Sequence, residues 1–406
     1  MKRSPLPRKN PPARWPSPYD RGMGSLLVTN DFPPKVGGIQ SYLHELWLRL
    51  PKDETTVLTT PYVGASDFDS AQPFRIERIR EQVMLPTSSL ASRIESLAKE
   101  VSADVIFLDP ALPLGSLGRR LKSAPHIVIA HGAEITLPGR LPGTHRMLGR
   151  VLRDARAVVA AGEYPARQCV RAAGKDLQGL VVPPGVDIDR FRPVVDAAER
   201  EAGRIALGLD PDRPLVVAVS RLVPRKGFDV LIEAVAGLDP SVVLAIAGAG
   251  RDAERLRKIA SKHDLLRSGR VKFLGRVPND ELLTLYRVGD VFGAPCRDRW
   301  GGLEAEGFGI VFLEAAASGV PSIAGRSGGS HEAVIDSETG YVVDPHDVVE
   351  VRGRLSELLG DESLRSKMGG RARRWATEEC SYDARVLPLR SLAGGDFSGL
   401  APLPKN

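Results

Sequence analysis

Leu26-Leu-Val-Thr29, then Asn30-Asp-Phe-Pro-Pro-Lys-Val-Gly-Gly38, then Ile39-Gln-Ser-Tyr-Leu-His-Glu-Leu-Trp-Leu-Arg-Leu50, reads as a strand, a glycine-ended loop and a helix in direct succession. The helix is legible because Ile39, Tyr42, Leu43, Leu46, Trp47 and Leu50 recur at i, i+3, i+4, i+7, i+8 and i+11, which makes one apolar face. The same unit repeats along the chain. Short β-rich runs follow at Val57–Thr60, Val105–Leu108, Ile127–Ala130, Ala157–Ala160 and Leu180–Val182. A turn-rich stretch, Val182-Pro-Pro-Gly-Val-Asp-Ile-Asp-Arg-Phe-Arg-Pro193, interrupts the rhythm. It resumes at Leu215–Val219, Val242–Ala247, Val271–Leu274, Val291–Ala294, Pro321–Ala324 and Tyr341–Val343. Strands alternating with amphipathic helices imply parallel sheets covered on both faces. The expected architecture is α/β, with two doubly wound domains, 23–190 and 191–385, facing each other across a cleft. Residues 386–406, rich in Gly, Pro and Ser, read as a flexible tail.

The composition suits this. The 406 residues are 42% hydrophobic and 26% charged, enough for two cores and too apolar for a disordered chain. No run of about 18 uninterrupted apolar residues is present to span a bilayer. Cys169, Cys296 and Cys380 are too few and too scattered for a disulfide framework or a C-x-x-C metal site, which fits a reducing cytosol. The formal charge of +6 comes mostly from residues 1–22, where six Lys/Arg face one acid among six prolines. That segment reads as a solvated tail, as a basic arm for nucleic acid or lipid, or as sequence upstream of a start at Met23. Net charge therefore assigns no nucleic-acid partner. Charge distribution is more informative: between Arg119 and Lys175 eleven Lys/Arg stand against three acids. The stretch is either a solvated helical face or a surface for anionic headgroups.

In open parallel sheets ligands sit beyond the carboxyl ends of the strands. Six loops there carry chemistry. Gly37 and Gly38 precede the first helix, where free amides and a partial positive charge favour an anion, although a tight turn explains two glycines equally well. His131-Gly132 follows the fourth run. Ser220-Arg-Leu-Val-Pro-Arg-Lys-Gly227 places Arg221 and Lys226 five apart on a proline-constrained loop, able to converge on one phosphate. Ala247-Gly-Ala-Gly250, with Gly248, and Gly275-Arg-Val-Pro278, with Val277, are loops against which a base or ribose can lie. The sixth, Pro295 to Pro321, runs from a glycine-rich loop into an apolar helix starting near Gly309 and Ile310, with Glu306 in the loop and Glu314 in the helix. An acid among Phe312, Leu313, Ala315 and Ala316 calls for a partner such as a sugar hydroxyl or a buried donor.

Glu306 and Glu314 form an E-x7-E pattern, and with the paired glycines and the Arg/Lys loop the chain resembles the retaining family 4 glycosyltransferases of GT-B type over about residues 24 to 380. VTNDFPPKVGGIQSYL, PPGVDIDRFRP, SRLVPRKG and EGFGIVFLEAAASGVPSIAG are most similar to the actinobacterial mannosyltransferases of phosphatidylinositol mannoside synthesis. The resemblance implies a GDP-mannose donor, a lipid-linked acceptor at the cytoplasmic face of the membrane, and no metal or other cofactor. It places Gly37 and Gly38 near the diphosphate and Arg221 with Lys226 on its charge. It gives the mannose hydroxyls to Glu306, backbone contacts to Gly309, Ile310 and Val311, the ribose to Glu314, guanine to the loop at Val277, and the reacting sugar to His131. The chain departs from the pattern at Ala133, where relatives carry a second histidine, and through residues 135–143, on the acceptor side. A uridine-nucleotide donor, a nucleotide-sugar epimerase of like architecture and a non-catalytic binding protein are the competing readings. The absence of G-x-G-x-x-G after the first strand disfavours a dehydrogenase.

Overall fold

The computed structural model describes residues 24–141 and 143–405; the basic segment 1–22 lies outside them. Two sheets organise the chain. In the first, β1 (Gly24–Thr29), β2 (Thr55–Thr59), β3 (Arg75–Arg78), β4 (Ala103–Asp109), β5 (His126–Ala130), β6 (Ala157–Ala160) and β7 (Gln178–Val181) lie in the order β3-β2-β1-β4-β5-β6-β7, all parallel. In the second, β8 (Leu215–Val219), β9 (Val243–Ala247), β10 (Val271–Gly275), β11 (Val291–Ala294), β12 (Ser322–Gly325) and β13 (Gly340–Val343) lie in the order β10-β9-β8-β11-β12-β13, again parallel. Two doubly wound domains are therefore present, as the strand-helix rhythm implied.

Burial explains which elements were legible. β1, β5, β8 and β9 are buried along their whole length, covered on both faces by helices, and so read as unbroken apolar runs. β3 has the sequence Arg-Ile-Glu-Arg and was not expected. It is an edge strand on which only Ile76 packs against the core, while Arg78 pairs with Asp69 at 2.7 Å and Glu77 bonds Arg75 and Arg93. Edge strands tolerate and even favour such charges.

The end of the chain corrects the sequence reading. The expected flexible tail is packed structure over 386–405, and the second domain does not run to 385. At Ser381 the chain crosses back, with Val186 bridging Ser381, and the helices Tyr382–Arg385 and Leu387–Ala393 bury Tyr382, Val386, Leu389 and Leu392 against Trp47, Phe107 and Val105 of the first domain. A two-residue strand, β14 (Ala401–Pro402), then pairs antiparallel with β7, and Leu403 enters the core beside Cys169 and Leu177. Gly394, Gly395 and Pro402 serve as turn and edge residues around these apolar anchors, which is why composition alone misled.

The domains meet along their strand-carboxyl edges. Glu332, in the second domain, accepts hydrogen bonds from the amides of Glu163 (2.8 Å) and Tyr164 (2.7 Å), the first turn of the helix Glu163–Ala173 in the first domain. A helix N-terminus whose own cap is Gly162 is thus capped by a carboxylate from across the boundary. The packed C-terminal return predicts that Leu389→Ala, which empties a fully buried site, costs about 2–5 kcal/mol. Denaturant unfolding of the variant checks this; a loss under about 0.5 kcal/mol, the range of exposed sites, would show that the segment does not pack.

Candidate active site

A cleft of about 600 Å³ lies between the domains. Its lining includes Gly37 and Gly38 after β1, His131 after β5, Arg221 and Lys226 after β8, and Glu306, Gly309, Ile310 and Val311 after β11. Nine of the twelve residues named from the sequence thus come together from four loops. The other three do not line it. Gly248 (φ +140) sits where a Cβ would collide with the carbonyl of Ser220, and its amide bonds the carbonyl of Gly275 at 2.6 Å, so it packs neighbouring strand ends together. Val277 packs at the rim of the second core, on the turn beside Gly275. Glu314 accepts a hydrogen bond from the buried Tyr286 hydroxyl at 2.5 Å. Its partner is thus a buried donor, one of the two possibilities the sequence left open, and burial raises its pKa.

Two helix N-termini, one per domain, converge here. The helix Gly38–Trp47 begins at Gly37 and the helix Ile310–Ala317 at Gly309 (φ +90), and neither has a side-chain cap. They lie so close that a Cβ on Gly38 would sit 3.7 Å from Ile310 Cδ1. Unpartnered amides and two aligned dipoles make this an anion site on backbone grounds alone.

Side chains add cations. Pro224–Lys226 forms one 3-10 turn, closed by Gly227 (φ +72), where a Cβ would strike the carbonyl of Pro295, so only glycine permits the turn that buries Lys226. Lys226 Nζ lies 2.7 Å from Glu306 Oε2. Arg225, not singled out from the sequence, bonds the same oxygen. Burial opposes ionisation of Glu306, but the two cations outweigh it and hold the carboxyl at about 2. Arg221 is exposed at the lip and makes no side-chain bond among the described residues. Gln40, Tyr42, Pro184 and Ser220 also line the cleft; each lies within a quoted stretch of sequence but was not singled out there as a site residue.

His131 is buried at the floor of the first domain's side. Its Nε2 meets Asp109 Oδ1 at 2.6 Å, and Asp109 Oδ2 accepts from the Thr29 hydroxyl at 2.6 Å, a chain linking the ends of β5, β4 and β1. The Tyr42 ring stands edge-on to the imidazole at 5.4 Å. Burial disfavours the charged ring, yet Asp109, with Glu134 and Asp31, raises its pKa above the usual value. Nothing in the sequence singled out Asp109, which stands one residue beyond the run Val105–Leu108. Among the described residues no cluster of three or more His, Cys, Asp or Glu gathers as metal ligands.

The sign of the His131 shift makes a prediction. Its stabilisation is complete below the ordinary histidine value of about 6.5 and fades as pH rises through the raised value. Histidine NMR titration should find His131 above that ordinary value, and lower in Asp109→Asn, where burial is opposed only by the more weakly coupled Glu134 and Asp31; an unchanged titration would sink the account.

Residues 36–190 match the Glycosyltransferase Family 4 description and residues 199–375 the Glycosyl transferases group 1 description. The chain is 40% identical, over 91% of its length and 98% of the relative's, to a GDP-mannose-dependent alpha-(1-6)-phosphatidylinositol monomannoside mannosyltransferase of Mycolicibacterium smegmatis. It is 36% identical, over 88% and 94%, to the corresponding enzyme for the monoacylated lipid in Corynebacterium glutamicum. Anabaena Alr3699/HepE, solved with UDP, superposes with a TM-score of 0.76 at 20% identity over 91% of this chain and 99% of that one, a likeness of fold. With both domains matched and coverage nearly complete in each direction, the chain belongs to the family 4 glycosyltransferases of GT-B fold, in the family of these phosphatidylinositol monomannoside mannosyltransferases.

Proposed function

We propose that the chain transfers mannose, with retention, from GDP-mannose to phosphatidylinositol monomannoside at the cytoplasmic membrane surface. The observation that carries this is the convergence of two uncapped helix N-termini, Arg221 and Lys226 on one cleft beside Glu306, in a chain 40% identical to such an enzyme over nearly its whole length. In this reading the diphosphate lies between Gly38 and the start of Ile310–Ala317, and Glu306 meets the hexose hydroxyls. The mannose C1–O bond to phosphate breaks, a bond from C1 to the acceptor oxygen forms on the same face, and the acceptor's hydroxyl proton passes to the leaving phosphate. Preorganised positive charge on that phosphate carries the catalysis. Arg221 and Lys226 supply it, so transfer is expected to proceed in EDTA.

The acceptor is lipid-linked, and the Arg119–Lys175 segment bears on how it is reached. Several of its cations are used internally: Arg119 pairs with Asp154, Arg153 bonds the carbonyl of Ala173, Arg156 lies over Phe397 at 4.8 Å, and Arg167 pairs with Glu163. Arg146 and Arg150, on the helix Thr144–Asp154, remain exposed beside Met147, with exposed Leu137 and Leu141 on the preceding turns. Trp300, 64% exposed on the facing loop, lies next to Gly301, whose carbonyl Arg140 bonds. Apolar tips among free arginines suit an anionic bilayer surface. Among the described residues no helix is long and apolar enough to cross a membrane.

Labelled GDP-mannose incubated with and without phosphatidylinositol monomannoside tests the assignment, with label expected in a dimannosylated lipid. Label confined to released sugar would send the acceptor elsewhere, and no turnover except with a uridine nucleotide would replace the donor. Lys226→Ala and Glu306→Ala should each cut kcat by about 10²-fold or more while unfolding normally, and turnover near wild type in either variant would refute the site. Arg146→Glu with Arg150→Glu should weaken sedimentation with anionic vesicles and its sensitivity to salt; wild-type binding by this variant would remove the basic face from the proposal.

A further inference from the structure

Glu306 Oε2 is shared by two cations on adjacent residues, and the family reading gives work to only one of them. Lys226 and Glu306 are both nearly enclosed, with side chains 6% and 11% exposed, and Arg225 is 13% exposed. If Lys226 were the sole partner of Glu306, an incoming diphosphate and the buried carboxylate would compete for one ammonium. Whichever lost would be left as a buried charge without a partner, which is costly. Arg225 removes that conflict. Its guanidinium offers several donors in a planar fork, and its backbone is anchored by the amide of Arg297 on its carbonyl at 2.8 Å. Its Nε also lies 4.0 Å from Glu304, which is itself held by Arg299 at 3.0 Å and Arg251 at 3.7 Å.

We propose that Arg225 is a positioning residue that keeps Glu306 ionised and oriented toward the donor hexose, releasing Lys226 to the diphosphate. The proposal rests on the donor reading above and assigns a division of labour within it: Arg221 and Lys226 serve the phosphates, Arg225 serves the carboxylate. The groups facing Glu306 are few. Lys226 and Arg225 come from the loop after β8; Cys296 Sγ, from after β11, lies 3.9 Å away; Ser327, bonded to Asp298 at 2.7 Å, accepts the Glu306 amide from after β12; and His131 presents its carbonyl to Gly307 across the cleft. Arg225 and Lys226 are the cations in contact with it among the described residues.

The test compares Arg225→Gln and Arg225→Lys with wild type in two arms. In the first, kcat and KM for GDP-mannose are measured with phosphatidylinositol monomannoside. Arg225→Gln should raise KM about tenfold with a smaller loss of kcat, because Glu306 then keeps one cation that the donor also claims. Arg225→Lys should recover most of both. In the second arm, calorimetry follows GDP and UDP binding without acceptor; Arg225→Gln should weaken the preferred nucleotide about tenfold, again with recovery by lysine. Wild-type GDP affinity and an unchanged KM in a normally folded Arg225→Gln protein would overturn the proposal, as would a lysine variant no better than the glutamine one. A wild type that binds UDP but does not turn over GDP-mannose would defeat the donor reading, and the calorimetric arm would still decide Arg225. Binding of neither nucleotide would overturn both.

Discussion

Parallel strand pairing is the constraint from which the rest of this molecule follows. A parallel sheet places the carboxyl ends of its strands on one edge, and each strand there must hand over to a loop and a helix whose first amides are unpaired. Here two such edges face each other, so two sets of unpaired amides and loop-borne side chains open onto one volume. The helices beginning at Gly38 and Ile310 approach closely because both start at glycines. The anion site is thus a property of the backbone, and Arg221 and Lys226 strengthen what the helices already provide.

Holding two independent cores in that relation requires contacts beyond the hinge. The chain supplies them in two ways. The return at Ser381 threads the last residues back into the first domain, so the first domain's core is completed by residues nearly three hundred and fifty positions downstream of Trp47. Glu332 reaches across to cap the helix at Glu163, a bond that exists only in this relative placement of the domains. His131, at the same boundary, is steadied from behind by Asp109 and Thr29 and in front abuts the glycines of the opposite loop.

Electrostatic balance in the cleft is set by burial. The depressed Glu306 and the raised His131 shift in opposite directions by one logic: burial opposes the charged form of each, and a partner of opposite sign buried beside it outweighs that penalty. Arg221, by contrast, stays exposed and uncommitted at the lip, available to a ligand without breaking an internal contact.

Periodicity and turn chemistry were enough to reveal the two doubly wound domains, because a strand covered on both faces must be apolar throughout and a helix on a sheet must carry one apolar stripe. They were also enough to single out Gly37, Gly38, His131, Arg221, Lys226 and Glu306, since each follows an apolar run where a parallel sheet must place its ligands. Tertiary structure alone decided the rest. Arg225 looked like one more cation in a turn until Glu306, eighty-one positions away, was folded against it. Asp109 carried no signal until β5 brought His131 alongside. Glu314 found its partner in the Tyr286 hydroxyl, and the C-terminal return packed because Leu389 and Leu403 found apolar hosts that composition could not locate. Local pattern reports what a residue's own element needs; which distant partner satisfies a charge or fills a cavity is fixed only when the chain closes on itself.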